Sequence, residues 1–179
     1  MPQPEPGRFS FERLSSMANL HSAALRAYKG KRFKDASARF HHDLGRSLVK
    51  LRDELLSGSY APGDYHEFEI WEPAHRHISA APYRDRVVHH ALCNIIQPLF
   101  EKSFILDSYA NQKFKGTHRA LDRCTEYARR FRYVFQGDVR KFFPSIDHQI
   151  LLARLTRKIW DPRVLDLGAR HESDSRRTY

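Results

Sequence analysis

Apolar residues recur at helical spacing over most of the chain and at strand spacing in two short places. Between Phe11 and Tyr28, Leu14, Met17, Leu20 and Leu25 mark one face of a helix. Phe40, Leu44, Leu48, Leu51 and Leu55 then predict a single amphipathic helix that stops at Gly58. A turn follows, carried by Ser57-Gly58-Ser59 and Ala61-Pro62-Gly63. In 65–71, Phe68 and Ile70 alternate with Glu67 and Glu69, the pattern of a half-exposed strand. Glu72-Pro73-Ala74-His75 reads as a hairpin turn, and 76–80 as the return strand, stopped by Pro82. The broadest apolar stripe, including Val87, Val88, Ala91, Leu92, Ile95 and Leu99, predicts a mostly buried helix that Pro98 bends near its end.

The second half is less regular. Ser103 to Gly116 has no period, so it is read as a loop. Thr117 is expected to cap a helix bearing Leu121, Cys124, Tyr127 and Phe131 on its apolar face, with Arg119, Arg123, Arg129 and Arg130 exposed. Tyr133, Val134 and Phe135 read as a buried strand over 133–138, closed by Asp138. Asp147 reads as the cap of a helix placing Ile150, Leu151, Leu155 and Ile159 together. Asp161-Pro162 opens one more helix, which Gly168 is expected to interrupt. There is no internal repeat. The fold class expected is α+β and helix-rich, with a small antiparallel hairpin at about 65–80.

Composition narrows the partners. A chain of 179 residues is one domain or a piece of a larger one, and 41% hydrophobic residues suffice for a core. A net charge of +10 points to polyanions, nucleic acid before acidic membrane. No apolar run has transmembrane length and no secretory signal is visible, so a cytoplasmic protein with no membrane partner is expected. Residues 1–10 are expected to form a disordered leader. Cys93 and Cys124 lie in apolar helical patterns and are read as buried thiols. The eleven histidines show no zinc-ligand spacing, and His89 and His90 are read as packed on their helix.

Two stretches carry candidate chemistry. Asp138 ends an apolar run and precedes Phe142 and Phe143, a place suited to hold a hard metal ion beside a flat substrate; on spacing alone the preferred reading is a surface acid in a strand-to-helix turn. In the 103–116 loop, Tyr109 and Phe114 stand beside Lys113 and Lys115, and cations cover phosphates while aromatics stack on bases. A plain surface loop has the same composition. Asp85, between Arg84 and Arg86 at a helix start, reads as ion-paired and dipole-compensating rather than catalytic.

Three blocks together resemble the N-terminal part of bacterial reverse transcriptases of the group II intron, retron and diversity-generating type. RHISAAPYRDRVVHHALCNIIQPLFEKSF (Arg76 to Phe104) resembles the fingers block, SYANQKFKGTHRAL (Ser108 to Leu121) the next, and DVRKFFPSIDH (Asp138 to His148) the first palm motif. The resemblance implies the fingers and partial palm of a right-hand polymerase over 11–165, with an irregular tail at 166–179. It implies that Asp138 is the first metal-binding aspartate, that Val139 lends a carbonyl to the same ion, that Phe143 lies beneath the incoming sugar, and that Arg76 lies along the triphosphate. Arg84, Arg86, Lys113, Lys115 and Arg119 are the expected phosphate contacts. The implied partners are an RNA template, a DNA or RNA primer, dNTP and the missing C-terminal palm and thumb, with Mg²⁺ as cofactor.

The departures matter as much. Nothing after His148 resembles the family's Tyr-x-Asp-Asp hairpin, Glu72-Pro73 stands where a fingers lysine is usual, and the apolar pattern fades from about Gly168, which reads as truncation or a frame change. Two Mg²⁺ ions need at least two carboxylates, and losing a bridging one costs on the order of 10³-fold in rate. The expectation is therefore a reverse transcriptase fragment that is inactive alone. The alternatives are a non-catalytic RNA-binding module and a non-functional remnant.

Overall fold

The computed structural model describes residues 10–72, 75–112, 114–140, 142 and 145–175, with side chains as far as Arg170. The expected leader therefore lies almost wholly outside the described residues, as do Pro73, Ala74, Lys113 and Phe143. The chain forms two compact units, one made of 1–96 with 148–179 and the other of 97–147.

The first unit holds most of the regular structure. It begins with α1 (Phe11–Leu14), α2 (Met17–Tyr28), α3 (Asp35–His42) and α4 (Leu44–Ser57). A single helix over 11–28 was expected, but Ser16 breaks it: its side chain accepts from Asn19 N at 3.3 Å, capping α2. Asp43 likewise divides the helix predicted across Phe40 and Leu44. Its backbone leaves the helical region (φ −128°, ψ 64°), and its carboxylate accepts from Arg46 N at 3.3 Å. In both places a local side-chain cap outcompeted continuation of the apolar stripe. Gly58 ends α4 as predicted, at φ +73°, where a side chain would be strained.

Strands β1 (His66–Ile70) and β2 (Arg76–Ala80) pair antiparallel, from His66 opposite Ala80 to Ile70 opposite Arg76. They form the expected hairpin and lead into α5 (Tyr83–Glu101), whose Val87, Val88, Ala91 and Ile95 are buried. Pro98 lies within α5, and the helix continues past it. Helix α4 packs on α2 and α3, and α1 packs on α2 and α8 (Pro162–Ser175). The core of this unit comprises Leu14, Leu20, Leu48, Leu51, Val87 and Val164, all essentially inaccessible.

Asp85 ties the start of α5 to the preceding loop. It is 2% exposed and accepts from the Tyr60 hydroxyl at 2.7 Å and from Gly63 N at 2.8 Å, while Arg84 Nε stands at 3.9 Å. The ion pair read from sequence is thus the lesser part of its environment. Burial and the bond to Asp85 push the Tyr60 phenol far above its ordinary range. At Gly63 a Cβ would meet Pro82 Cγ at 3.1 Å, so a small residue suits the turn.

Three further expectations are corrected. Helix α8 does not stop at Gly168. It runs to Ser175 with Leu167 buried, so 166–175 is helical rather than irregular. Its start is as predicted: Asp161 accepts from Arg163 N at 3.0 Å, and its other oxygen accepts from Phe11 N at 2.8 Å, which joins α8 to α1. Cys93 and Cys124 are both exposed free thiols. Cys93 sits two residues from Ala91 and Ile95, off the buried stripe of α5. Helix α7 (His148–Leu155), which begins directly after Asp147, has no buried residue; of the four apolar positions grouped with it, only Ile159 is in the core.

The second unit contains the end of α5, the loop that follows and α6 (Thr117–Arg130). Gly116, not Thr117, is the N-cap residue of α6, and no side chain caps it. No residue of α6 is buried. The largest departure is at 131–140. No strand forms there, and Tyr133, Val134, Phe135 and Val139 are 84%, 79%, 94% and 61% exposed. A strand needs a neighbour to take its N–H and C=O groups, and among the described residues the only sheet is the β1–β2 hairpin.

Candidate nucleic-acid interface

The loop before α6 is shaped by its own charges. Asp107 accepts from Arg123 Nε at 3.0 Å and the Tyr109 hydroxyl at 3.1 Å through one oxygen, and from the Tyr127 hydroxyl at 2.8 Å through the other. Arg123 and Tyr127 are one helical turn apart on α6, and the guanidinium lies 4.4 Å from the Tyr127 ring centre. The Tyr127 and Arg123 bonds hold the Asp107 carboxyl below the usual carboxylate range. From the other side, Lys115 Nζ donates to Leu106 O at 2.5 Å and Ser108 O at 2.7 Å and stands 5.2 Å from the Tyr109 ring centre.

Asp107, Tyr109, Lys115, Arg119 and Arg123 line a groove of about 420 Å³. The groove is of mixed charge: Asp122 and Glu126 also line it. Lys115 and Arg119, two of the residues expected to contact phosphate, are thus together. Lys115 is committed to the loop's own carbonyls, and Arg119 is exposed on α6. Phe114 is exposed at φ +60° and Asn111 lies at φ +55°. A bulky residue in the left-handed region is strained, and such strain persists only where surrounding contacts impose it.

The first unit uses its candidate arginines differently. Arg84 pairs with Glu54 at 2.8 Å, donates to Ala61 O at 3.3 Å and lies 4.9 Å from the Tyr60 ring centre. The Arg86 guanidinium is 5.5 Å from the Tyr83 ring centre. Arg84 helps to fasten α5 within the unit, while the Arg86 contact stays within the first turn of α5. Arg76 is exposed at the start of β2 and shares its face of the hairpin with Phe68, Ile70 and Ile78.

Asp138 is exposed, and its Oδ1 accepts from Val139 N at 2.9 Å. Among the described residues no group of three or more acids, histidines or cysteines stands close enough to hold a metal ion. One carboxylate and one neighbouring carbonyl do not make the oxygen shell that Mg²⁺ requires, so these residues alone do not fit that ion.

The Asp107 network was not foreseen from sequence. Arg123 is read on an exposed face and Tyr127 on a packing face, and nothing in the spacing joins either to a loop acid sixteen and twenty residues away.

No family model matches the chain. It is 32% identical over 133 residues to protein YkfC of Escherichia coli K12, an alignment covering 69% of this chain and 34% of YkfC. It is 23% identical over 137 residues to nuclear intron maturase 2, mitochondrial, of Arabidopsis thaliana, covering 68% of this chain and 19% of that protein. The chain is similar to intron maturases. A second, nuclear intron maturase 1, mitochondrial, of the same plant, is 26% identical over 85 residues, 48% of this chain and 12% of its own length. The chain therefore spans about a third or less of these relatives. No helix among the described residues is long and apolar enough to cross a membrane.

Proposed function

We propose that the chain is the fingers and first palm segment of a reverse transcriptase of the group II intron type, that it binds RNA, and that it does not polymerise DNA unaided. The observation that carries this reading is the 133–138 segment. Its apolar run reads as a buried strand, yet Tyr133, Val134 and Phe135 lie exposed and the segment is unpaired among the described residues. That is the state expected of one half of a sheet whose other half is elsewhere. The β1–β2 hairpin running into a buried α5, the maturase similarity and the net charge of +10 support the same reading.

Within it, Asp138 and the Val139 carbonyl would hold Mg²⁺ only together with carboxylates from outside the described residues. Arg76 contacts the incoming dNTP in this reading, and RNA template and primer cross the second unit. The bound ions would supply Lewis-acid activation of the primer hydroxyl and neutralise the leaving phosphates.

The test is template-directed dNTP incorporation by the purified 179-residue chain on a primed RNA. The expected result is none, with salt-sensitive RNA binding that Asp138→Ala leaves unchanged. Incorporation that Asp138→Ala abolishes overturns the inactive part of the reading. A second reading, a non-catalytic RNA-binding module, is favoured by the absence of an acid cluster around Asp138 among the described residues. Supplying a Tyr-x-Asp-Asp palm fragment separately distinguishes the two, since only the polymerase half gains activity.

A further inference from the structure

We infer that Asp107 is a positioning residue: it latches the 103–116 loop onto α6 in the shape that presents Arg119 and Phe114 to RNA. This deepens the RNA-binding reading and rests on it. Asp107 accepts three hydrogen bonds, two of them from residues of α6 and one from Tyr109 within the loop. Lys115 closes the same turn by bonding to the carbonyls that flank Asp107, those of Leu106 and Ser108. The loop is thus held from both sides, and the two cations doing so are spent on the protein itself. Arg119 lies one turn before Arg123 on the same face of α6, without an ion pair among the described residues, and Phe114 is exposed in the loop that leads into α6. The left-handed backbone of Phe114 marks a conformation imposed by the latch rather than chosen by the residue.

The latch and a purely electrostatic role for Asp107 predict opposite signs. Removing an acid from a basic protein strengthens binding to a polyanion if charge alone acts. Loss of the latch weakens it. Binding of the full chain to a fluorescent single-stranded RNA is measured by anisotropy as a function of salt, together with hydrogen exchange of residues 103–116 without RNA.

Asp107→Ala is expected to weaken RNA binding by about tenfold, the effect of losing a charge-assisted hydrogen bond, with the salt slope unchanged and loop exchange accelerated. Tyr127→Phe, which alters no charge, is expected to do the same to a smaller extent. Arg119→Ala is expected to lower the salt slope by about one without changing loop exchange. Tighter binding by Asp107→Ala, or loop exchange equal to that of the unaltered chain, overturns the latch. Failure of the unaltered chain to bind RNA overturns the functional reading instead, while the exchange arm still decides whether Asp107 holds the loop. Unchanged exchange in the first unit identifies variants that remain folded.

Discussion

Asp85 and Asp138 both lie in stretches that mix arginines with apolar residues, and burial separates them. Asp85 is sealed under Tyr60 and Gly63, so removing it strands a buried hydroxyl and a backbone N–H. Asp85→Ala is expected to cost about 1–3 kcal/mol in urea unfolding, whereas Asp138→Ala, at an exposed position, is expected to change stability by less than about 0.5 kcal/mol. Equal costs for the two would contradict this assignment. The histidines give the residue scale its pH dependence. Burial holds His41, His89 and His90 below the ordinary imidazole range, so the folded state favours their neutral forms. The unfolded chain takes up these protons first, from about pH 6.5 downward; stability is complete above that value and falls with acidification. The melting temperature is expected to drop between pH 7.5 and 5.5, and less steeply in His41→Phe, which keeps a ring stacked on Tyr28. A second loss follows below about pH 4.5, as Glu12, held low by its bond to Arg163, and Asp107 take up protons. A melting temperature that rises on acidification from pH 7.5 would contradict the burial of these rings.

Among the elements, α4 and α5 were legible because each buries its own pattern, Leu48, Leu51 and Leu55 on one helix and Val87, Val88 and Ala91 on the other, and the hairpin was legible from its alternation and turn residues. The breaks at Ser16 and Asp43 were not, because a capping residue inside a continuous apolar stripe gives two local solutions, and the stripe does not say which prevails. The 133–138 segment shows the limit of patterning most plainly. Its residues carry strand propensity, but a strand is a property of a pair. Phe135→Ser is accordingly expected to leave stability within about 0.5 kcal/mol of the unaltered chain, and amides 132–140 to exchange at near-unprotected rates. A cost of about 3 kcal/mol or more, the range for truncating a buried Phe, would show that Phe135 is packed after all. Of the candidate site, the sequence exposed the basic residues but not their allegiance. Arg84 and Lys115 look like phosphate ligands by type, and each is engaged by partners distant enough in sequence to escape any spacing rule.

For the molecule as a whole, the two units differ in what supports them. The first has a dry core spanning α1, α2, α4, α5 and α8; the second has an amphipathic helix with no buried residue. The first unit is expected to melt cooperatively, as a sharp calorimetric transition, while the second contributes little to it. A broad transition throughout would favour the non-functional remnant. The net charge of +10 and the exposed arginines of α6 are the features on which the proposed RNA association rests.

The most direct measurement is anisotropy of a labelled RNA titrated with the purified chain at several salt concentrations, in EDTA and in Mg²⁺, for the unaltered protein and Asp138→Ala. The account predicts binding that weakens linearly on a log–log plot with salt, persists in EDTA and is the same for both proteins. Binding that is absent, insensitive to salt, or lost in Asp138→Ala would contradict it.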